Sequence, residues 1–535
     1  MAEESSPLSP PAEESTEAET DAALEPEPES GESTPGPASE LGFVCDCEEW
    51  MRSACKGLPF FREHEGRRYC VLHYPSRDKS DEFEIALGGK LGSGDLDFRG
   101  VWFPEAVDFT GLEFSAAADF SYATFSAAAD FSSATFSADA YFISATFSAA
   151  AYFSSATLSA DAYFSSATFS ADADFSSATF SAAAYFSYAT FSAAAYFSYA
   201  TFSAAADFSY TTFSAAAYFS YATFSAAAYF SYTTFSAAAY FRSATFSAAA
   251  YFNLSVFHAR ADFSHASFND SIHFFGSATE RLLKDGTRLA VMVLGKDPSL
   301  DFEHVRIEHP DRIAFHTLTL RPHWFVNFDP REFVFTDVGW EWDRISIKQE
   351  IATLEANKVS SPNRLLAIAC RQLAENAEAN NRYEEASRFR YWAMDLARYY
   401  KWRGKAFWKT DWLHVLYWAV SGYGERILRA LGMLAAVFLV FALLYTRVGF
   451  VQPLSKASGE GELSATGGSM IIEDRTGQPL EFSRALTYSL AVMSLQKPEP
   501  KPLTGTAQTL VLLETILGPV QAALLALAIR RKFMR

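Results

Sequence analysis

Four of the chain's five cysteines and two histidines fall within 29 residues, among them Cys45, Cys47, Cys55, Cys70 and His73, in the stretch FVCDCEEWMRSACKGLPFFREHEGRRYCVLHYP (43–75). Thiolate sulfur and imidazole nitrogen are the donors that tetrahedral zinc takes, four at a time. The expected quartet is Cys47, Cys55, Cys70 and His73, with Cys45 or His64 as substitutes. Cys70-x-x-His73 has good ligand spacing, whereas the CxC pair and the seven-residue gap before Cys55 are looser. Metal-free thiols are the alternative. Four protein ligands leave no open position for a reacting molecule, so the Zn2+ expected here is structural. The fifth cysteine, Cys370, stands alone in a helical stretch, and without a leading signal peptide a disulfide scaffold is not expected.

A second chemically loaded residue is Glu514, a carboxylate inside an apolar run. An intramembrane acid usually faces a bundle interior, lining a path or bonding a neighbouring helix, or else, near the outer end of the span, simply reaches the headgroups. His304, His309, His316 and His323 cluster in sequence but are expected to be solvated loop residues. No nucleophile–base pair, phosphate loop or open metal site stands out, so no enzyme is expected.

The elements that must position these groups are dominated by one pattern. From Phe98 to Phe274 an apolar residue recurs at alternating steps of five and six, as in Phe180, Phe186, Phe191, Phe197, Phe202 and Phe208. All 33 positions are Phe except Leu158, and a small residue, mostly Ala, sits two places before each except at the ends, where Leu96, Val101, Val107, Leu112 and Ile272 are larger. Residues i and i−2 of a strand share a face, so Phe and Ala point inward and Thr, Tyr or Asp outward. Five or six residues suit a short strand and a corner; four such sides close a coil of 22 residues, and about eight coils would stand roughly 38 Å tall. A fixed short period marks a solenoid.

Units such as Ala118-Asp119-Phe120-Ser121-Tyr122 and Ala206-Asp207-Phe208-Ser209-Tyr210 resemble the pentapeptide-repeat family, A-(D/N)-(L/F)-x-x. The resemblance implies a right-handed four-sided β-helix, here with an extra Ala in every second unit that should bulge alternate corners. A small Cys/His module ending in YCxxH is similar to the front of some members of that family, which favours structural zinc. Some members mimic DNA through acidic faces and bind topoisomerases, but aspartate is sporadic here (Asp119, Asp130, Asp161, Asp172), and no nucleic-acid partner is expected.

A 22-residue coil stacks Tyr196, Tyr218 and Tyr240 in one column, and Tyr185, Tyr229 and Tyr251 in another that Asp207 interrupts. Such faces are either packed ladders or a surface for an unknown protein partner. Around the solenoid, residues 1–40 carry twelve acidic residues and no Lys or Arg, and are expected to be a disordered tail. Residues 78–97 read as a helix and linker able to cover the first coil, 98–276 as the β-helix, 277–345 as its irregular continuation, and 346–402 as a helical hairpin broken near Asn376–Asn381.

Residues 403–535 read as a membrane domain. Residues 427–451 and 509–529 are long and apolar enough to span a bilayer, with Trp402, Trp408, Trp412, Trp418 and Tyr423 ahead of the first as an interfacial belt and Arg530, Arg531, Lys532 and Arg535 after the second. Basic flanks put both termini in the cytoplasm and residues 452–507 outside. Residues 482–495 are too short to span and read as a re-entrant half-helix. Span, half-helix, span resembles the two-transmembrane pore module of potassium-type channels, and pairing of copies through this domain would follow. The filter position, however, reads Gln496-Lys-Pro-Glu-Pro-Lys-Pro502, whose prolines cannot supply a strand of ion-binding carbonyls. The expected whole is mainly β: a β-helix, then a helical hairpin, then a two-span α-helical anchor in the lipid bilayer. As a function this gives a membrane-anchored scaffold for protein contacts, or else a pore protein with a non-standard or non-conducting filter.

Overall fold

Each eleven-residue unit contributes two short strands, and each strand pairs in parallel with the strand 22 residues away: Ala184 with Ala206, Thr190 with Thr212, Ala195 with Ala217, Thr201 with Thr223. The computed structural model describes residues 43–276, 280–282, 288–290, 299–340, 344–356, 359–402, 412–451 and 477–533. The acidic tail, Trp408 and residues 452–476 of the expected outer loop lie outside them. Four parallel sheets of ten, eight, nine and nine strands run along the solenoid. Two of them present Thr and two present Tyr or Asp outward.

Inside, the phenylalanines are almost wholly buried. Rings one coil apart stack (Phe186–Phe208, 4.9 Å and 4°), and rings half a coil apart meet edge to face (Phe186–Phe197, 5.3 Å and 87°). Both arrangements suit the ring quadrupole. Alanine fits between them because stacked rings leave no room for more. Where Thr211 and Thr233 replace it, each hydroxyl donates to a phenylalanine carbonyl at 2.7 Å, of Phe186 and Phe208, so no polar group is stranded.

Alternate corners differ, as the extra Ala requires. At one kind, the residue two after Phe is left-handed: glycine first (Gly100, Gly111), then serine or tyrosine from Tyr122 to Ser243. The tyrosine columns stack as expected, Tyr196–Tyr218 and Tyr218–Tyr240 both at 5.0 Å, with Asp207 paired to Tyr185 and Tyr229 in the other column. Beyond Phe274 the sheets continue with strands at Ser299–Asp301, Arg306–Ile307, Ile313–His316 and Val334–Thr336. His323 departs from the expected solvated loop: its side chain is 9% exposed, and its Nδ1 lies 3.6 Å from the Glu350 carboxylate.

Helices cover both ends. Helix α1 (Ser80–Ser93) sets Phe83 against Phe103 of the first coil, ring centroids 5.4 Å apart. At the far end α2 (Arg344–Ala356), α3 (Pro362–Ala379) and α4 (Tyr383–Trp402) continue the solenoid core, Phe389 meeting Trp340 at 4.9 Å. Then come α5 (Trp412–Ser421), α6 (Ile427–Tyr445), α7 (Phe482–Met493) and α8 (Gly505–Phe533). Helices α6 and α8 are long and apolar enough to cross a membrane, and each buries only 17% of its most apolar window within the chain. The first of these helices stops at Tyr445, short of the expected 451, because the chain turns there and pairs Phe450 with Gln478 and Pro502. Trp418 faces the protein rather than forming a free belt: its indole N–H donates to the Tyr391 hydroxyl (3.2 Å), and Arg398 lies 4.1 Å over its ring.

Candidate metal centre and the buried acid

The N-terminal module has only a 3-10 turn (Glu49–Cys55) and a hairpin, β1 (Arg62–His64) with β2 (Arg67–Tyr69). The turn carries Cys55 inward at its last residue. The segment after the hairpin brings Cys70 and His73, three residues apart, to one side. Cys45 is held there by the Cys70 N–H, which donates to its sulfur at 3.4 Å. Such N–H···S bonds stabilise a thiolate.

The donor atoms of Cys45, Cys55, Cys70 and His73 all lie within 4.8 Å of one another, and all four residues are buried. His73 Nδ1 is 3.3 Å from the Cys70 sulfur and 3.8 Å from that of Cys45. A tetrahedral zinc with Zn–S and Zn–N bonds of ordinary length separates S and N by about 3.5 Å, so the cluster has the size of the ion. The other ring nitrogen, Nε2, donates to the Arg99 carbonyl at 2.9 Å, so Nδ1 is the nitrogen turned toward the sulfurs. This is the outer-shell partner that a metal-bound histidine normally keeps. The expected quartet had Cys47 where this set has Cys45, the residue named as its substitute. Cys47 is itself buried and hydrogen-bonds with Cys45, Cys55 and His73. His64 is apart, its ring 6.0 Å from Tyr74.

The electrostatics of the cluster ask for a cation. Hydrogen bonds from Cys47, Cys55 and Cys70 hold the Cys45 thiol far below the ordinary range, while bonds to Cys45 and Cys47 push Cys55 far above it. Burial alone would lower His73, but the sulfurs of Cys45, Cys47 and Cys70 hold it up to about 12. Thiols crowded this way gather positive charge by keeping protons, and a divalent ion satisfies the same need while releasing them.

The module is joined to the solenoid through side chains that the sequence reading passed over. Lys79, fully buried, donates to the carbonyls of Val71 (2.6 Å) and Leu72 (3.0 Å), between ligands Cys70 and His73. Lys90 donates to the Ala54 carbonyl (2.9 Å), beside Cys55, and to Asp95 (2.6 Å). Gly100 lets Met51 sit against the first corner: φ is +67°, and a Cβ there would lie 2.3 Å from the Met51 sulfur, so any side chain would displace Met51. A lysine eight or more residues from the carbonyl it serves leaves no local pattern to read.

In the C-terminal part Glu514 is fully buried on α8. It accepts from the Tyr445 hydroxyl of α6 (2.5 Å) and from the Ser489 hydroxyl of α7. Of the expected roles, the carboxylate bonds neighbouring helices within one chain. Gln521, about two turns further along α8, donates to the Ala430 carbonyl of α6 at 2.8 Å. Helix α7 is seated closely on α8: a Cβ at Gly518 would lie 2.9 Å from Met493.

The family model for pentapeptide repeats (9 copies) matches residues 120–168, 142–190 and 186–234. The matches lie wholly within the stacked coils, so the solenoid, and not the helices or the Cys/His module, is what they describe. No curated protein and no solved structure matches the chain.

Proposed function

We propose that this chain is a membrane-anchored pentapeptide-repeat scaffold: a right-handed four-sided β-helix standing in the cytoplasm for contacts with other proteins, closed at its start by a structural Zn2+ and tethered by a two-helix anchor with both termini inside. The observation that carries this reading is the unbroken packing from coil to anchor. Asn376 and Trp340 tie the helical hairpin to the last coils, Ser387 of α4 donates to Glu425 ahead of α6 at 2.6 Å, and two apolar helices follow with most of their surface uncovered. Uncovered apolar surface on this scale needs lipid or another protein. Zinc is favoured over other ions by three thiolates and an imidazole in a closed tetrahedral set. Pentapeptide-repeat solenoids generally serve as structural or interaction proteins, and the matched coils are of that kind.

The test is fractionation and topology together. The full chain should stay with membranes after a carbonate wash, and reporters fused at either terminus should read cytoplasmic. A chain recovered in the wash overturns the anchor, and a terminus reading outside overturns the orientation. Zinc is checked on the same purified protein, at one equivalent per chain.

One observation favours a second reading, a pore protein. Helix α7 is seated against both α6 and α8, held by Ser489 to Glu514 and by the Met493–Gly518 approach, as a pore helix would be. Against it, the Glu514 carboxylate is engaged by its own chain. Single-channel recording of the full chain beside Glu514→Ala separates the two: a conductance that the substitution alters makes the protein a channel, and silence in both, with protein present in the bilayer, leaves the scaffold.

A further inference from the structure

The corner positions of the solenoid hold a feature the repeat does not require. At the left-handed corner, glycine serves twice and serine at Ser133, Ser144, Ser155, Ser166, Ser177 and Ser243, yet Tyr188, Tyr199, Tyr210, Tyr221 and Tyr232 occupy five in succession, with φ of 60–61°. A bulky residue is a costly choice there. Packing within the chain does not account for it, since these rings remain 44–60% exposed.

Successive members fall on opposite edges, because eleven residues are half a coil. One edge carries Tyr188, Tyr210 and Tyr232, stacked at 4.7 and 4.5 Å. The other carries Tyr199 and Tyr221, stacked at 4.8 Å. The half-coil step also displaces the two edges along the axis by roughly 2.4 Å, half the strand spacing. Tyr199 therefore stands at the level between Tyr188 and Tyr210, and Tyr221 at the level between Tyr210 and Tyr232.

We propose that parallel copies of this chain pack side by side, with the three-tyrosine edge of one copy against the two-tyrosine edge of the next. A copy displaced sideways without rotation presents the opposite edge, and the half-coil step sets its ring rims against the gaps of the first. A second copy matches this rise at every coil, whereas an unrelated partner would need a repeat of the same spacing. The chain already shows what such a tyrosine receives. At the corresponding corner of the first coils Tyr122 is met by Trp50 of the N-terminal module, ring centroids 4.6 Å apart at 62°. The contact is head to tail, so it builds rows and not closed pairs. Five half-exposed rings supply about 500 Å², under half of an ordinary interface. The inference therefore rests on the membrane anchoring proposed above, which confines copies to one plane in one orientation and raises their effective concentration.

The test places a photo-crosslinking benzoyl-phenylalanine at Tyr210 of the full chain and irradiates native membranes. The two edges lie on opposite sides of the rod, so a link from position 210 to the other edge is necessarily between copies. The expected result is a ladder of covalent dimers and higher species, reduced at least tenfold by Tyr199→Ser with Tyr221→Ser. Serine occupies the same corner at Ser133, Ser155 and Ser177, so the double variant keeps the fold, which circular dichroism verifies. Monomer alone, adducts to other proteins alone, or a ladder unchanged in the double variant overturns the inference. Fractionation reports separately on anchoring: protein in the membrane pellet without a ladder sinks the pairing and leaves the anchor, while soluble protein with a ladder sinks the anchor and leaves the pairing.

Discussion

The two ends of the solenoid face the same problem and solve it with different materials. A stack of parallel strands ends in backbone groups with no next coil to bond and phenylalanine rings with no ring above. At the far end the chain spends helices, and one amide does much of the polar work. Asn376, 1% exposed, donates to the carbonyls of Pro330 (3.1 Å), Arg331 (2.9 Å) and Phe333 (2.8 Å), while Arg382 fixes its own oxygen at 2.6 Å. At the near end about thirty residues have too little apolar surface to hold themselves together. There His73 donates to the Arg99 carbonyl of the first coil, Lys79 and Lys90 donate to carbonyls of the module itself, and the module's fold is drawn together by a thiol cluster that fits a metal. A large cap can rely on burial, whereas a small one needs a cross-link.

The contrast predicts unequal tolerance. Cys70→Ser should be the most damaging single change at the near end, since a structural zinc contributes about 10 kcal/mol or more to folding of a small module. The variant should lose its zinc, and amide exchange should open residues 62–74 while the coils from Phe131 to Phe246 stay protected. A module equally protected without metal would make burial sufficient at both ends and erase the distinction.

Asn376→Ala should be milder but still severe. It removes two N–H donors shared among three carbonyls, each lost bond costing about 1 kcal/mol or more, for a local loss of about 2 kcal/mol. Exchange should rise at Val334–Thr336 and along α3 without reaching the middle coils. Asn376→Asp keeps the volume and removes the donors, so it should behave like alanine; if it behaves like asparagine, shape and not hydrogen bonding holds this cap.

How much of this could be read from the chain follows from distance along it. In the coils a neighbour is always 22 residues away, so a one-dimensional period converts directly into contacts, and the Tyr196–Tyr218–Tyr240 column could be written down in advance. The donors of the candidate metal cluster were visible as residue types, but choosing Cys45 over Cys47 depends on how the irregular chain bends at Asp46, which no spacing rule covers. Asn376 meets carbonyls more than 40 residues back, and Glu514 meets Tyr445 across 69; neither leaves a local mark. The corner tyrosines were legible as residues and not as a conformation, because only the fold makes their backbone left-handed.

The interior offers a gain in place of a loss. Leu158 interrupts a column of rings, standing between Phe136 and Phe180. Leu158→Phe should fit, since the site repeats the geometry of its neighbours, and should add about 1 kcal/mol from restored stacking. In a solenoid each coil supports its neighbours, so protection should rise in the coils around Phe136–Phe180 and stay constant at both caps. A rise at the caps as well would mean that the ends and the middle open together.

The smallest expected effect is the most specific to the near end. Burial would raise the Asp97 carboxyl, but hydrogen bonds from Arg99 and Ser53 outweigh it and hold the group below the ordinary carboxylate value. Ser53 donates to it at 2.7 Å from the Cys/His module, and Arg99 at 2.7 and 2.9 Å from the first coil. A carboxyl depressed in the folded state contributes stability that is present above its unfolded pKa and is lost as pH falls through the folded value. The module should therefore loosen from the first coil toward strongly acidic pH, by no more than a few tenths of a kcal/mol because the pair is partly solvated. Asp97→Asn removes the titrating group, so the acid limb of the exchange profile at residues 97–102 should flatten while its counterpart around Phe333 does not change. An acid limb that persists in the variant would assign it to the thiol cluster and leave Asp97 a surface pair.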